Sequence, residues 1–254
     1  MRHAGLPART SRCNAQSLHD QSIEKKVQRR QRHRRRARQR RAGRPGEASA
    51  PRSSRGLHKE QLILREAEQQ FAQFGYEGAS LENIAAAVGI SRHNLLYNFP
   101  SKEQLYRRVL DDVLTQWLAG LGALSEHDDP EQALRDYIAA KLRSSRERPN
   151  GSKVFTKEVI AGAPRYADVI ASQVAPLLKT EVRAFERWAR QGRIAKVNFT
   201  HLMFTIWAVT QAYADLESQF ALLLGKPRLE LQDYDDAQAL ITRLVLNGLQ
   251  PAQK

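Results

Sequence analysis

Ser80-Leu81-Glu82-Asn83-Ile84-Ala85-Ala86-Ala87-Val88-Gly89-Ile90-Ser91-Arg92-His93-Asn94-Leu95-Leu96-Tyr97-Asn98-Phe99 reads as two short helices joined by a tight turn. Ser80 suits an N-cap, its hydroxyl oxygen taking one of the orphan N–H groups of a first helix. Leu81, Ile84, Ala85 and Val88 recur at helical spacing and face inward. The small run Ala85, Ala86, Ala87 lets a second helix approach. Gly89 ends the first helix in a left-handed conformation, Ile90 plugs the corner, and Ser91 caps the second helix. Leu95 and Leu96 bury that second helix, which leaves Arg92, His93, Asn94, Tyr97 and Asn98 at or near its outer face. This is the layout of a helix-turn-helix, which lays its second helix in the major groove of DNA. An ordinary helical hairpin with a solvated polar face shares the same cap, glycine and cap spacing.

Arginine and asparagine make paired hydrogen bonds to guanine and adenine edges, which makes Arg92, His93 and Asn94 the expected base readers. Tyr97 and Asn98 have the reach for phosphate oxygens, and Ser80 and Ser91 lie at the two helix starts. Ser101 caps a further helix straight after Pro100, with Glu103 in its first turn. Lys102 stands beside that N-terminus, where free N–H groups and the helix dipole favour a phosphate.

The continuation Leu95-Leu96-Tyr97-Asn98-Phe99-Pro100-Ser101-Lys102-Glu103-Gln104-Leu105 resembles the end of the DNA-binding domain of TetR-family regulators, whose usual form is Leu-Tyr-x-His/Tyr-Phe-x-Ser-Lys-Glu-x-Leu. Upstream, Phe71-Ala72-Gln73-Phe74-Gly75-Tyr76-Glu77-Gly78-Ala79-Ser80 is similar to the family's first helix, which ends at a Phe-Gly-Tyr/Phe turn. The likeness covers roughly residues 57–105. Asn98 departs from the pattern, standing where the family commonly has His or Tyr. The residues at Arg92, His93 and Asn94 vary within such families, so they do not spell out an operator sequence.

The net charge of +14 is unevenly placed. Of the 41 Lys and Arg, 17 lie in residues 1–56, with 3 of the 27 acidic residues, so the remainder carries 24 of each and is neutral. The run Arg29-Arg30-Gln31-Arg32-His33-Arg34-Arg35-Arg36-Ala37-Arg38-Gln39-Arg40-Arg41 has too little apolar surface to fold alone, and residues 1–56 are expected to form a disordered basic tail. Such a tail attracts phosphates without sequence preference and raises DNA affinity in a salt-dependent way. The alternative is an over-extended or inert leader; no Met occurs between Met1 and Met203, so that alternative needs another start codon, for example at Val27. The single cysteine, Cys13, excludes an internal disulfide framework and fits a reducing cytoplasm. No apolar run approaches the roughly 18 residues of a membrane span. The seven histidines are scattered without metal-ligand spacing, and neither a nucleophile elbow nor a phosphate-cradling glycine loop occurs. The expectation is therefore a non-enzyme with no catalytic residues, no metal and no cofactor.

From Ser101 onward the pattern is helical throughout, giving an all-α chain: a helix-turn-helix DNA-binding domain over 57–103 and a ligand-binding and dimerisation domain over 104–254. Leu105, Val109, Val113, Leu114, Trp117 and Leu121 mark a long connecting helix. Asp129-Pro130 opens a helix to about Arg148, which Pro149-Asn150-Gly151 ends. Val154, Phe155, Glu158 and Val159 form the next, broken at Ala163-Pro164. A helix from Pro176 closes near Gly192. Asn198 or Thr200 opens a strongly apolar helix to about Gly225, and Asp235 or Asp236 starts the last, ending at Gly248.

The helix after Asn198 is apolar nearly all round, so it must face both a core and something else. The resemblance to TetR-family regulators implies a partner subunit there, the last two helices of each chain forming a four-helix bundle with its mate, and two heads about one helical turn apart would read a palindromic operator; the alternative is the central helix of a monomer. Thr210 and Gln211 lie among apolar positions, and Glu158 is similarly placed beside Phe155. With Trp117 and Trp207 these residues would suit a small, flat, hydrogen-bonding ligand. Equally, Gln211 and Glu158 could cap internal helix ends or hold subunits together.

Trp207-Ala208-Val209-Thr210-Gln211-Ala212-Tyr213-Ala214-Asp215 and Phe155-Thr156-Lys157-Glu158-Val159-Ile160-Ala161-Gly162-Ala163-Pro164 resemble the regulatory domain of pyrimidine-utilisation regulators within the TetR family, a likeness running from about Leu57 to Pro251. It implies a bacterial, cytoplasmic, nucleoid-associated homodimer that binds double-stranded DNA. It also implies a repressor of pyrimidine catabolism or related nitrogen-metabolism genes, released by uracil or thymine. The alternative is a TetR-fold DNA-binding protein without a small-molecule switch, of a chromosome-organising or division-linked kind, which the basic tail favours.

Overall fold

The computed structural model describes residues 54–251 and is helical throughout this span. The basic run of residues 29–41, and with it the expectation of a disordered tail, lies outside the described residues. Three helices make the head: α1 (Ser54–Gly78), α2 (Leu81–Ala87) and α3 (Arg92–Asn98). The body follows as α4 (Lys102–Gly122), α5 (Pro130–Glu147), α6 (Pro149–Ile160), α7 (Ala175–Arg190), α8 (Phe199–Asp215), α9 (Glu217–Leu223) and α10 (Leu231–Gly248).

The expected punctuation of the head is present. Gly75 has φ 72° and ψ 179°, which breaks α1 at the Phe-Gly-Tyr turn. Ser80, Ser91 and Ser101 each accept a backbone N–H from the third residue onward. Gly89 has φ 72°, and Ile90 N–H bonds the Ala85 carbonyl at 2.9 Å, closing α2 as a left-handed glycine allows.

One apolar cluster joins head and body. Ile63, Phe71, Ile84, Leu95 and Phe99 pack with Leu105, Tyr106, Val109 and Leu110 of α4, and Val154 and Tyr166 join from beyond α5. A fully buried Leu, Ile or Phe contributes about 1.5–3 kcal/mol relative to exposure, so the head cannot swing free of α4 cheaply. A second cluster builds the body from Leu134, Ile138 and Leu142 of α5, Phe185 and Trp188 of α7, Met203 and Ile206 of α8, and Ile241 of α10.

Four boundaries differ from the expectations. Pro149 begins α6 directly after Arg148, because proline at a first helical turn has no N–H to leave unpaired. A single turn, Ala167–Val169, runs through a π-helical stretch, Ile170–Val174, into α7, so the helix starts before Pro176. The apolar helix opened by Asn198 stops at Leu216 rather than Gly225, where φ −111° and ψ 17° leave the helical region before α9; apolar residues on both sides of the break mask it in the sequence. α10 starts at Leu231, before Asp235, through a reciprocal capping box between Glu230 and Asp233.

Candidate functional site

The head presents α3 outward. Arg92, His93 and Asn94 are exposed, Tyr97 is 85% exposed, and Asn98 is half-buried, while Leu95 is fully buried beneath them. Arg92 Nε lies 2.6 Å from Glu82 Oε1, an exposed pair that ties α3 to α2. The Glu82 carboxyl is held below its ordinary range, first by a backbone N–H and then by the Ser80 hydroxyl, which donates to Glu82 at 3.0 Å. The Asn98 amide donates to the Asn94 carbonyl at 2.7 Å. Lys102 is turned back onto the head: its ammonium donates to the Glu77 carbonyl at 3.0 Å and lies 4.9 Å from the centre of the Tyr76 ring. Ser80 and Ser91 are occupied as caps.

In the body, α5 turns one polar face toward its neighbours. Tyr137, Lys141, Ser144 and Ser145 follow at helical spacing, and all but Ser144 are buried. The Tyr137 hydroxyl accepts the Trp207 indole N–H at 2.6 Å. The Lys141 ammonium sits 4.0 Å from the ring centre of Trp117, whose indole N–H donates to Ser144 at 3.3 Å. Ser145 donates to the Thr210 carbonyl at 2.9 Å, and the Thr210 hydroxyl donates to Ile206 in its own helix at 2.7 Å. The half-buried Gln211 amide has no hydrogen-bond partner among the described residues. Burial pushes the Lys141 ammonium down to about 8, against a smaller upward pull from Asp215.

Asp215, at the end of α8, accepts from the Ser152 hydroxyl at 2.8 Å and the Thr156 hydroxyl at 2.6 Å. Phe155, on the same helix as those two, meets Trp117 edge-on with centroids 4.9 Å apart. Thus Trp117 and Phe155 touch each other, and Trp207 and Thr210 each bond a residue of α5. Glu158 does not join them. It is buried against α4, accepting from Tyr106 at 3.1 Å and from the Arg165 backbone N–H at 2.6 Å. Sequence reasoning missed Tyr137, Lys141 and Asp215. Lys141 was readable as a charged residue on the apolar stripe of Leu134, Ile138 and Leu142.

The opposite side of α6 and its flanks holds the head. Arg148 bonds Glu68 of α1 through Nε at 2.8 Å and a terminal nitrogen at 2.5 Å. Lys157 donates to the Ala72 and Gln73 carbonyls just before the Gly75 break. Arg165 donates to Glu77 at 2.9 Å and stacks 3.6 Å from the Tyr76 ring centre. Gly151 lies so near α4 that a Cβ there would meet Val113 at 2.9 Å. α6 therefore touches the polar core and the head at once.

Comparison with known proteins matches residues 63–109 to the model of bacterial regulatory proteins of the tetR family, and residues 110–252 to the YcdC-like protein C-terminal region. The HTH-type transcriptional regulator RutR of Escherichia coli K12 is 37% identical over 193 residues, covering 76% of this chain and 91% of that protein. The fold is shared with the TetR family regulator PfmR from Thermus thermophilus, at TM-score 0.61 and 21% identity over 80% of this chain and all of that one. A tetR-family regulatory protein from Rhodococcus aligns with TM-score 0.63 and 18% identity, covering 77% of this chain and 98% of that one. Among the described residues no helix is long and apolar enough to cross a membrane, and no three His, Cys, Asp or Glu gather as a metal site.

Proposed function

The chain belongs to the TetR family of DNA-binding transcriptional regulators, and from that premise we propose that it is a cytoplasmic homodimeric repressor of pyrimidine catabolism or related nitrogen-metabolism genes, released from a palindromic operator by uracil or a similar small flat ligand. The observation that carries the proposal is the double engagement of α6. Its Ser152, Phe155 and Thr156 meet Asp215 and Trp117, while Lys157 and the flanking Arg148 and Arg165 hold α1. A ligand that repacks the Trp117, Trp207 and Gln211 region shifts α6, and α6 shifts the head. Such a ligand acts only through its differential affinity for the two head arrangements.

In this reading Arg92, His93 and Asn94 contact bases, and Tyr97 and Asn98 contact phosphates. Lys102 braces the head through Glu77 and Tyr76 and offers a phosphate the start of α4. The dimer face is drawn from Phe204 and Val209 of α8 and Leu240 and Leu244 of α10, which expose 45%, 36%, 45% and 63% of their surface in one chain. An apolar patch of this kind marks an interaction surface. The 37% identity to RutR and the sequence likeness to pyrimidine-utilisation regulators support the choice of ligand. A thermal-shift screen of nucleobases and their catabolites tests it, since a ligand specific to the folded state raises the melting temperature by mass action. Uracil or thymine should give the largest shift; no shift from either at millimolar concentration removes the proposed ligand class.

A further inference from the structure

We propose that the arginine-rich run of residues 29–41 is a second DNA-binding element, which holds duplex beyond the operator core and supplies electrostatic affinity that the head lacks; this rests on the family's DNA binding alone, not on the proposed effector. Sequence-independent affinity for DNA comes from cations placed against phosphates. The head is poorly supplied with them. Residues 57–103 carry four cations, Lys59, Arg65, Arg92 and Lys102, against six carboxylates, Glu60, Glu66, Glu68, Glu77, Glu82 and Glu103. Two of the four cations are engaged inside the head: Arg92 lies 2.6 Å from Glu82, and Lys102 donates to the Glu77 carbonyl. From outside it, Arg148 and Arg165 pair with Glu68 and Glu77, which brings the head to neutrality and no further. Farther along α4, Arg107 and Arg108 are paired as well, each 2.8 Å from an aspartate, Asp168 and Asp112.

The missing charge is carried by the segment that leads into the first head helix. Residues 1–56 hold 17 of the chain's 41 Lys and Arg and only 3 acidic residues, and nine arginines fall between Arg29 and Arg41. This segment lies outside the family matches, which together span residues 63–252. Since α1 begins at Ser54, thirteen residues of chain lead from Arg41 to the head. Thirteen residues span at most about 45 Å when fully extended, roughly a dozen base pairs at about 3.4 Å each. Arginines with that reach meet phosphates flanking a half-site rather than the bases under α3. Such contacts release counterions, so they are steeply salt-dependent and indifferent to sequence. Attachment to the head also selects duplex DNA over other polyanions. Once the head docks, the run is confined beside the flanking duplex at high effective concentration.

Fluorescence anisotropy on the full chain tests the inference with two duplexes: an operator recovered by selection, and the same operator lengthened by about a dozen base pairs of arbitrary sequence on each side. The variant combines R34Q, R35Q, R36Q, R38Q, R40Q and R41Q, and melting curves check that it folds as the parent does. The parent should bind the long duplex about tenfold or more tighter than the short one, and the variant should lose that gain. Plotted as log Kd against log salt, the parent's slope on the long duplex should exceed the variant's by about 3 or more. That is the release expected if half of the six arginines sit on phosphates, at about 0.9 each. Equal slopes in parent and variant overturn the inference. So does a parent indifferent to the added flanks, an arm that needs no variant. A variant equal to the parent on both duplexes, yet lost from phosphatidylglycerol vesicles that the parent binds, assigns the run to a membrane surface and overturns the inference too. Neither arm contains effector, so failure here is separate from failure of the proposed ligand.

Discussion

Arg148, at the elbow between α5 and α6, holds Glu68 of the first head helix through two guanidinium nitrogens, at 2.8 and 2.5 Å. Glu68 is 7% exposed, and Asp112 stands 3.6 Å from the same guanidinium. The pair spans the joint between the element that touches the polar core and the element that carries the DNA reader.

Arg148→Ala should uncouple the two. Removing one partner leaves the Glu68 carboxylate buried and unpaired, a loss of about 3 kcal/mol at the low end for such pairs. The melting temperature should fall, and effector should release operator less completely than in the parent. If the variant melts lower yet responds to effector as the parent does, Arg148 is only a structural brace.

Arg92 is held to Glu82 through Nε, and this ion pair competes with a base for the guanidinium. Arg92→Ala should cost about 1–3 kcal/mol of specific binding if the guanidinium makes a bidentate contact. Glu82→Gln should act the other way, releasing Arg92 and tightening operator binding a few-fold, as fluorescence anisotropy would read. Unchanged operator preference in Arg92→Ala would remove Arg92 from base readout.

Lys141 gives a pH signature. Burial lowers its ammonium from the ordinary 10.5 to about 8 in the folded state. The folded state is therefore penalised for holding the charge below pH 8, and stability rises as pH climbs from 8 to 10.5, where the unfolded chain binds the extra proton. Lys141→Met should remove this dependence and stabilise the protein at neutral pH by up to about 3 kcal/mol, the full value of such a shift. Denaturant titrations at pH 7 and pH 10 would read it, with the gap between variant and parent closing at the higher pH.

Leu244 is 63% exposed on α10 in one chain. Leu244→Arg should yield a folded monomer by sedimentation, with operator binding strongly weakened because two linked heads no longer engage two half-sites. A variant that stays dimeric would move the interface elsewhere.

The head was legible because its signals are local. Ser80, Gly89, Ser91 and Ser101 act within three or four residues of themselves, and the structure shows each acting as read. The all-α body was legible from periodicity for the same reason. The polar core was only half legible. Trp207, Thr210 and Gln211 stand out as polar or aromatic residues on an apolar helix, and Trp117 as an aromatic on the connecting helix. Glu158 carried the same signal, yet it faces Tyr106 and Arg165, because periodicity places a residue on a face without saying which neighbour covers it. Lys141 and Glu181 are not legible as buried, since charged residues usually lie in water and only tertiary packing reveals the exceptions. The clasp of Arg148, Lys157 and Arg165 on α1 links residues about 80 to 90 positions apart, beyond any local pattern.

The central claim is that a small flat ligand in the body releases the head from DNA. The direct measurement is the anisotropy of a labelled operator, recovered by selection from genomic fragments, bound to the full chain and titrated with uracil. Release at micromolar uracil, with Gln211→Ala binding the operator normally but releasing it only at much higher uracil, is the expected result. Operator held unchanged at saturating uracil would contradict the account and favour a TetR-fold protein that binds DNA without a small-molecule switch.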